Sequence, residues 1–133
     1  MLIQIPGVLD AGELDSLRRT LGEGRFDDGA ATAGAVAREV KRNLQLDRDS
    51  DAARRSVPVV LAALRRNPVF FSAALPHRVH GPLFSRYDPG MEYGDHFDNA
   101  VMGAPDTVRT DIAVTVFLNA PEEYGGGELL VQD

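Results

Sequence analysis

A row of apolar residues at helical spacing opens the chain. Three leucines between residues 14 and 21 follow Asp10, and Glu13 lies three residues after this aspartate. An acidic residue followed three positions later by Glu, just before an apolar row, is typical of a capping box at a helix N-terminus. The pattern therefore predicts a helix that begins after Asp10 and ends at Gly22 and Gly24.

Three other segments of the first half are less uniform. The apolar residues at 2–5 predict a short opening strand, whereas Val36–Leu46 fits a strand or a helix equally well by pattern. Residues Ser50–Arg66 have a helix-forming composition with an apolar row. Pro58 lacks an N–H, so this segment is expected to form one bent helix or two short ones.

After Pro68 the pattern changes to short apolar or alternating runs separated by Pro and Gly, which favours β-strands. These runs are VFFSAAL, PLFSRYD, MEYGDHFD, RTDIAVTVFLN and GGELLVQ. Residues 112–118 are apolar on both strand faces, so we expect this strand to lie between two layers. The order predicts a single α+β domain, with helical support over about 1–68 packed on sandwich or jelly-roll strands over about 69–133.

The final run, Gly125–Asp133, is expected to form a tight turn followed by a strand. No further turn or strand follows it in the sequence. An apolar strand without a partner leaves an open edge, which native folds usually avoid. This edge is the first indication that a C-terminal portion of the jelly roll is missing.

Composition and charge narrow the function. The 133 residues are 44% hydrophobic and 26% charged, as expected of one globular domain. The net charge of −6 disfavours nucleic acid and anionic membranes as partners. There is no cysteine, so a metal would bind His and carboxylate side chains. Without a basic N-terminal region or an apolar run of roughly 20 residues, the chain is expected to be cytoplasmic and not membrane-bound.

The most suggestive chemical motif is the pair His96 and Asp98. Residues i and i+2 of a strand project from one face, so both side chains can bind one metal ion. An imidazole and a carboxylate suit Fe(II), with a second His completing a facial triad that leaves positions open for substrate and O2. An isolated H-x-D pattern also arises by chance, and a His hydrogen-bonded to a nearby Asp is then the simpler interpretation.

Longer ordered motifs surround this pair. They are FSRYDPG, YGDHFDNA, RTD leading into IAVTVFLN, and YGGGEL, together with IPGVL, DDG and VKRNLQLD upstream. This series resembles the Fe(II)- and 2-oxoglutarate-dependent dioxygenases, specifically the bacterial PKHD-type hydroxylases related to prolyl 4-hydroxylase. The resemblance extends over nearly all of the chain.

The resemblance implies an enzyme that hydroxylates an unknown small-molecule or peptide substrate with O2. It implies that His96 and Asp98 are two of three iron ligands and that Tyr87 hydrogen-bonds the cosubstrate 2-oxoglutarate. L-Ascorbate, which relatives use to rescue oxidised iron, is an implied helper. Phe117 stands where animal prolyl hydroxylases have a Tyr that touches the cosubstrate, and it cannot make that hydrogen bond.

The family pattern continues to a distal His and an Arg that binds the far carboxylate of 2-oxoglutarate, and neither follows here. The resemblance therefore implies a catalytic domain truncated at its C-terminus, and we expect the 133 residues alone to be inactive. One alternative is a non-catalytic fragment or small-molecule-binding jelly roll. Another is a cupin-like barrel with a metal on His77, His80 and His96, although the first two are expected to be surface histidines in a loop. Whether the protein is a homo-oligomer stays open.

Overall fold

The computed structural model describes residues 2–35 and 37–132. The described helices and strands are α1 (Ala11–Gly22), β1 (Phe26–Asp28), β2 (Lys41–Arg42), β3 (Leu44–Leu46), α2 (Asp51–Arg66), α3 (Pro68–Ala74), β4 (Ser85–Arg86), β5 (Glu92–Tyr93), β6 (Val101–Met102) and β7 (Val108–Arg109). Short 3₁₀ turns lie at Gly29–Thr32, Ala37–Val40 and Pro121–Glu123. The mixture of helices and antiparallel strands confirms the α+β prediction.

Helix α1 begins at the predicted capping box. The Asp10 carboxylate accepts the N–H of Glu13 at 2.8 Å, and the Glu13 carboxylate accepts the N–H of Asp10 at 3.0 Å. Glu13 also binds the guanidinium of Arg66, which donates a further hydrogen bond to the Val8 carbonyl at 3.3 Å. The start of α1 is thereby tied to the end of α2, and α1 ends at Gly22 as predicted.

Helix α2 is one helix that continues through Pro58. It begins at Ser50, whose hydroxyl accepts the N–H of Ala53 at 3.1 Å. Pro58 deprives the Arg54 carbonyl of its usual donor four residues later. Both residues are exposed, so water can replace that donor without burying an unpaired carbonyl. Helix α2 has 16 residues. Neither α2 nor any other described helix is long and apolar enough to cross a membrane.

The strand predicted for VFFSAAL is wrong, because this run forms helix α3. The Asn67 side chain accepts the N–H of Phe70 at 2.9 Å, and Pro68 occupies the first helical position. Both are helix-starting signals, and they outweigh the β propensity of the run. Leu75 ends the helix with a positive φ of 43°.

Antiparallel pairs hold the strands together. The largest sheet has the order β1-β3-β4, in which Phe26 pairs with Leu46 and Gln45 with Ser85. Strand β2 pairs with β5, and β6 with β7. The ambiguous Val36–Leu46 segment therefore contains a 3₁₀ turn and two strands. Its first residue lies outside the described residues.

The buried core joins the helices to the central sheet. It comprises Leu17, Leu46, Ala52, Ala53, Val60, Leu64, Phe70 and Phe84. Val116 and Leu118 pack against this core from the second half of the chain. The helical layer thus has one continuous apolar contact with β3 and with the segment before β4.

Three predicted strands are not formed among the described residues: those at 2–5, 112–118 and 128–131. Ile112 is 55% exposed and Leu130 is 80% exposed. A strand needs a hydrogen-bonded neighbour, and within the described part of the chain none lies beside these segments. Val116 and Leu118 still face the core, so 112–118 is covered on one side where the prediction placed it between two layers. Residue 133, the predicted end of the last strand, is not described.

Candidate functional site

The two predicted metal ligands follow strand β5 in an extended segment that is not itself a strand. The N–H of Gly94 donates to the Val40 carbonyl at 2.9 Å and fixes the start of this segment. His96 Nε2 and Asp98 Oδ1 lie 3.4 Å apart, whereas Phe97 between them is 97% exposed. His96 and Asp98 therefore lie on the same side of this segment, as predicted, although the segment is not a strand.

The orientation of the His96 ring is set by the backbone. Its Nδ1 lies 2.7 Å from the Gly94 carbonyl oxygen, which can only accept, so Nδ1 is the donor. In the neutral ring this contact leaves the Nε2 lone pair facing Asp98. A lone pair facing a carboxylate oxygen is unfavourable unless a cation lies between them or Nε2 is protonated.

Tyr93 packs on His96 and was missed by the sequence analysis. The two rings are stacked with centroids 3.6 Å apart and planes 5° from parallel. Burial raises the pKa of Tyr93, and the negative charge of Asp98 raises it further. Tyr93 therefore contacts one of the two candidate metal ligands directly. Its position at the end of β5, three residues before His96, is the signal that could have identified it.

Tyr87 lies just after β4 and is held by a buried amide. Asn43 Nδ2 donates to the Tyr87 hydroxyl at 2.9 Å, so the phenol oxygen accepts and its own proton is left to donate elsewhere. Asn43 is 3% exposed, and its Oδ1 has no hydrogen-bond partner among the described residues. This oxygen faces Gly29, where an added Cβ would lie only 1.9 Å away. Tyr87 itself is 49% exposed.

A polar row, which we define as Lys41, Asn43 and Gln45, runs through β2 and β3. All three side chains are buried and alternate along the chain, as residues on one strand face do. Lys41 Nζ donates to Thr32 Oγ1 at 2.9 Å, and Gln45 Nε2 donates to Ser85 Oγ at 3.2 Å. The sequence analysis did not identify this row, although polar residues at 41, 43 and 45 have the period of a strand.

The remaining predicted residues lie elsewhere. His77 is exposed, and the His80 ring lies 3.3 Å from the Arg48 guanidinium, in the loop between α3 and β4. Phe117 is 54% exposed. Among residues 2–35 and 37–132, no group of three His or acidic side chains could hold a metal ion, which argues against the cupin-like interpretation.

Two cavities are found away from this site. One of about 580 Å³ lies beside Phe70, Phe71 and His77, and one of about 100 Å³ lies between α2 and residues 81–84. Neither is lined by His96, Asp98 or Tyr87. The side chain of His96 is 23% exposed and that of Asp98 is 65% exposed.

Comparison with known proteins agrees with the motifs. No protein-family model matches the chain. The chain is 53% identical over 136 residues to a PKHD-type hydroxylase of Hyphomonas neptunium (strain ATCC 15444), with all of this chain aligned. By sequence, this chain is a relative of the PKHD-type hydroxylases. A PKHD-type hydroxylase of Gluconobacter oxydans (strain 621H) is 48% identical, and one of Xanthomonas campestris pv. campestris (strain B100) is 47% identical, again with all of this chain aligned.

The chain spans 60% of the length of these three relatives. The suspected resemblance is thereby confirmed, because relatives 47–53% identical and aligned over the whole of this chain are named PKHD-type hydroxylases. Their names describe hydroxylases. The metal, the cosubstrate and the substrate are not contained in those names.

Proposed function

We propose that the protein is an Fe(II)- and 2-oxoglutarate-dependent hydroxylase, with His96 and Asp98 as two iron ligands. The observation that carries this proposal is the spacing of His96 Nε2 and Asp98 Oδ1, with Nδ1 already engaged by Gly94. Two ligand atoms about 2.0–2.2 Å from one metal ion lie roughly 3.0–3.5 Å apart at ordinary coordination angles. The observed 3.4 Å fits that range.

The protein's own residues have separate tasks in this proposal. The Gly94 carbonyl holds the His96 ring so that Nε2 faces the metal, and the stacked Tyr93 ring limits its rotation. The Tyr87 hydroxyl would donate a hydrogen bond to an oxygen of the cosubstrate, because its own oxygen already accepts a hydrogen bond from Asn43. When bound, iron and 2-oxoglutarate supply the oxidation: O2 gives one oxygen to succinate and one to the new hydroxyl, and CO2 is released.

We further propose that the exposed segment 112–118 is a jelly-roll strand in the whole protein. It is apolar on both faces, and only Val116 and Leu118 are covered by the core. About two-fifths of each relative's length lies outside the matched part, which is enough for further strands. A third iron ligand and the Arg for the far carboxylate of 2-oxoglutarate would come from there, since His96 is the last His of this sequence.

Turnover of 2-oxoglutarate tests the proposal. The protein in its natural length, with Fe(II) and ascorbate, is expected to convert 2-oxoglutarate to succinate. His96→Gln and Asp98→Asn should each lower this rate by about 100-fold or more and weaken Mn(II) binding in dialysis. His77→Gln is the matched control, because this exposed His lies outside the cluster, and it should retain the wild-type rate. Equal rates in all four proteins would contradict the proposal.

A second candidate function is binding without turnover by the 133 residues themselves. It is favoured by the observation that no third His or acidic side chain joins His96 and Asp98 among the described residues. Two protein ligands hold iron weakly, so we expect no succinate from this chain alone. A clear yield of succinate from the 133-residue chain would contradict this expectation.

A further inference from the structure

Lys41 is the only lysine of the sequence, in which the other 13 of 14 basic residues are arginines. It is also buried, with 6% of its surface exposed. Lysine is seldom buried unless it is paired, because removing an ammonium group from water is costly. The 13 arginines are exposed, so Lys41 differs from them in both residue type and burial.

The ammonium group of Lys41 has fewer partners than it can bind. It donates to Thr32 Oγ1 at 2.9 Å and lies 5.2 Å from the centroid of the Tyr93 ring. Among the described residues, no carboxylate lies within 4 Å of it, and Thr32 is its one hydrogen-bond acceptor. An ammonium group has three donors, so two are left over. Burial lowers the pKa of Lys41, and the more distant Asp28 carboxylate opposes this effect.

The position of Lys41 relates it to the candidate metal ligands. Lys41 pairs with Tyr93 across β2 and β5, and Tyr93 stacks on His96. Asn43, two residues after Lys41, holds Tyr87 by a hydrogen bond from its side-chain amide. Thr32, which receives the ammonium hydrogen bond, is an exposed residue.

We propose that Lys41 is the cation of a carboxylate-binding position beside His96 and Asp98. The carboxylate would accept hydrogen bonds from the two spare N–H groups of Lys41 and supply the counter-charge that the fold lacks there. This inference rests on the proposed function for the origin of the carboxylate, which is either 2-oxoglutarate or an acidic substrate.

Isotope labelling of lysine allows a direct test. The protein in its natural length is labelled with ¹³C and ¹⁵N on lysine, and the Lys41 resonance is assigned by its loss in Lys41→Met. It is then titrated, without metal, with 2-oxoglutarate, succinate and acetate at constant ionic strength, with acetamide as the neutral control. We expect a saturable shift of the Lys41 signal with carboxylates and none with acetamide.

A matched pair of variants measures the contribution of the charge. Lys41→Met should weaken carboxylate binding in calorimetry by about tenfold or more, as expected for a charged hydrogen bond. Arg42→Met removes the adjacent charge, which pairs with Glu92 at the surface, and should leave this affinity within about twofold. Circular dichroism confirms that both variants are folded.

Each outcome has one meaning. If 2-oxoglutarate saturates the Lys41 signal at a far lower concentration than acetate, the cosubstrate is the source of the carboxylate. If all three acids saturate the signal at similar concentrations, an acidic substrate is the source. A Lys41 signal that no carboxylate shifts would overturn the inference. Succinate formation by the wild-type protein is measured separately, so a failed hydroxylase assignment and a failed Lys41 site are distinguishable.

Discussion

The helical layer and the segment from 94 to 132 differ in how their apolar residues are used. In the helical layer, Leu17 is 1% exposed and Val60 is 3% exposed. In the later segment, Val114 is 50% exposed and Leu130 is 80% exposed, although the sequence there is no less apolar. Helices satisfy their own backbone polar groups locally, whereas strands need hydrogen-bonded neighbours before their apolar faces can be buried.

Truncation of one leucine in each region should give the largest contrast. Leu17→Ala removes a fully buried side chain and is expected to lower the free energy of unfolding by about 2–5 kcal/mol. Leu130→Ala is the control and should change it by less than about 0.5 kcal/mol. Urea denaturation of the 133-residue chain measures both. A large loss with Leu130→Ala would show that this residue is packed and would remove the contrast.

A glycine that positions the site should have the next largest effect. Gly29→Ala places a Cβ about where Asn43 Oδ1 lies, so Asn43 must move away from Tyr87. We expect a loss of about 1–3 kcal/mol in unfolding free energy from this overpacking. Gly22→Ala, at a helical position with nothing within 4 Å, should be neutral or slightly stabilising. Equal effects of the two substitutions would disprove the close contact.

The stacked ring at the border of the two regions should affect metal binding. Tyr93→Leu removes the stacking on His96 and is expected to weaken Mn(II) affinity about threefold to tenfold. Tyr93→Phe keeps the ring and should bind Mn(II) as the wild type does. Dialysis with the natural-length protein measures both affinities. A loss with Tyr93→Phe would instead assign the effect to the hydroxyl group.

The smallest effect concerns the acid that joins α1 to α2. The Arg66 guanidinium and the Asp10 N–H lower the pKa of Glu13 from 4.5 to about 2. A lowered pKa means that the stabilisation is present above pH 4.5 and is lost as the pH falls through about 2. Glu13→Gln should therefore lower Tm by a few degrees at pH 7, and this difference should shrink in acid. Asp15→Asn on the same helix is the control, and a Tm loss equal to that of Glu13→Gln would refute the assignment.

Local signals predicted the helices better than the strands. The capping box at Asp10 and the cap at Ser50 mark the starts of α1 and α2. The same kind of signal, Asn67 before Pro68, starts α3, but the β-rich composition of VFFSAAL obscured it. The strands at 112–118 and 128–131 could not be settled by alternation alone, because a strand is completed by residues distant in sequence.

The residue pattern alone predicted helices α1 and α2, the H-x-D pair and the relationship to the PKHD-type hydroxylases, because caps and motifs depend on residues a few positions apart. The folded structure was needed to show that Asn43 holds Tyr87 and that Lys41 is buried with no carboxylate of the described residues within 4 Å. These contacts link Asn43 to Tyr87 and Lys41 to Thr32, on segments whose register is set by hydrogen bonding and burial across the fold. No local pattern records which side chains that register brings together.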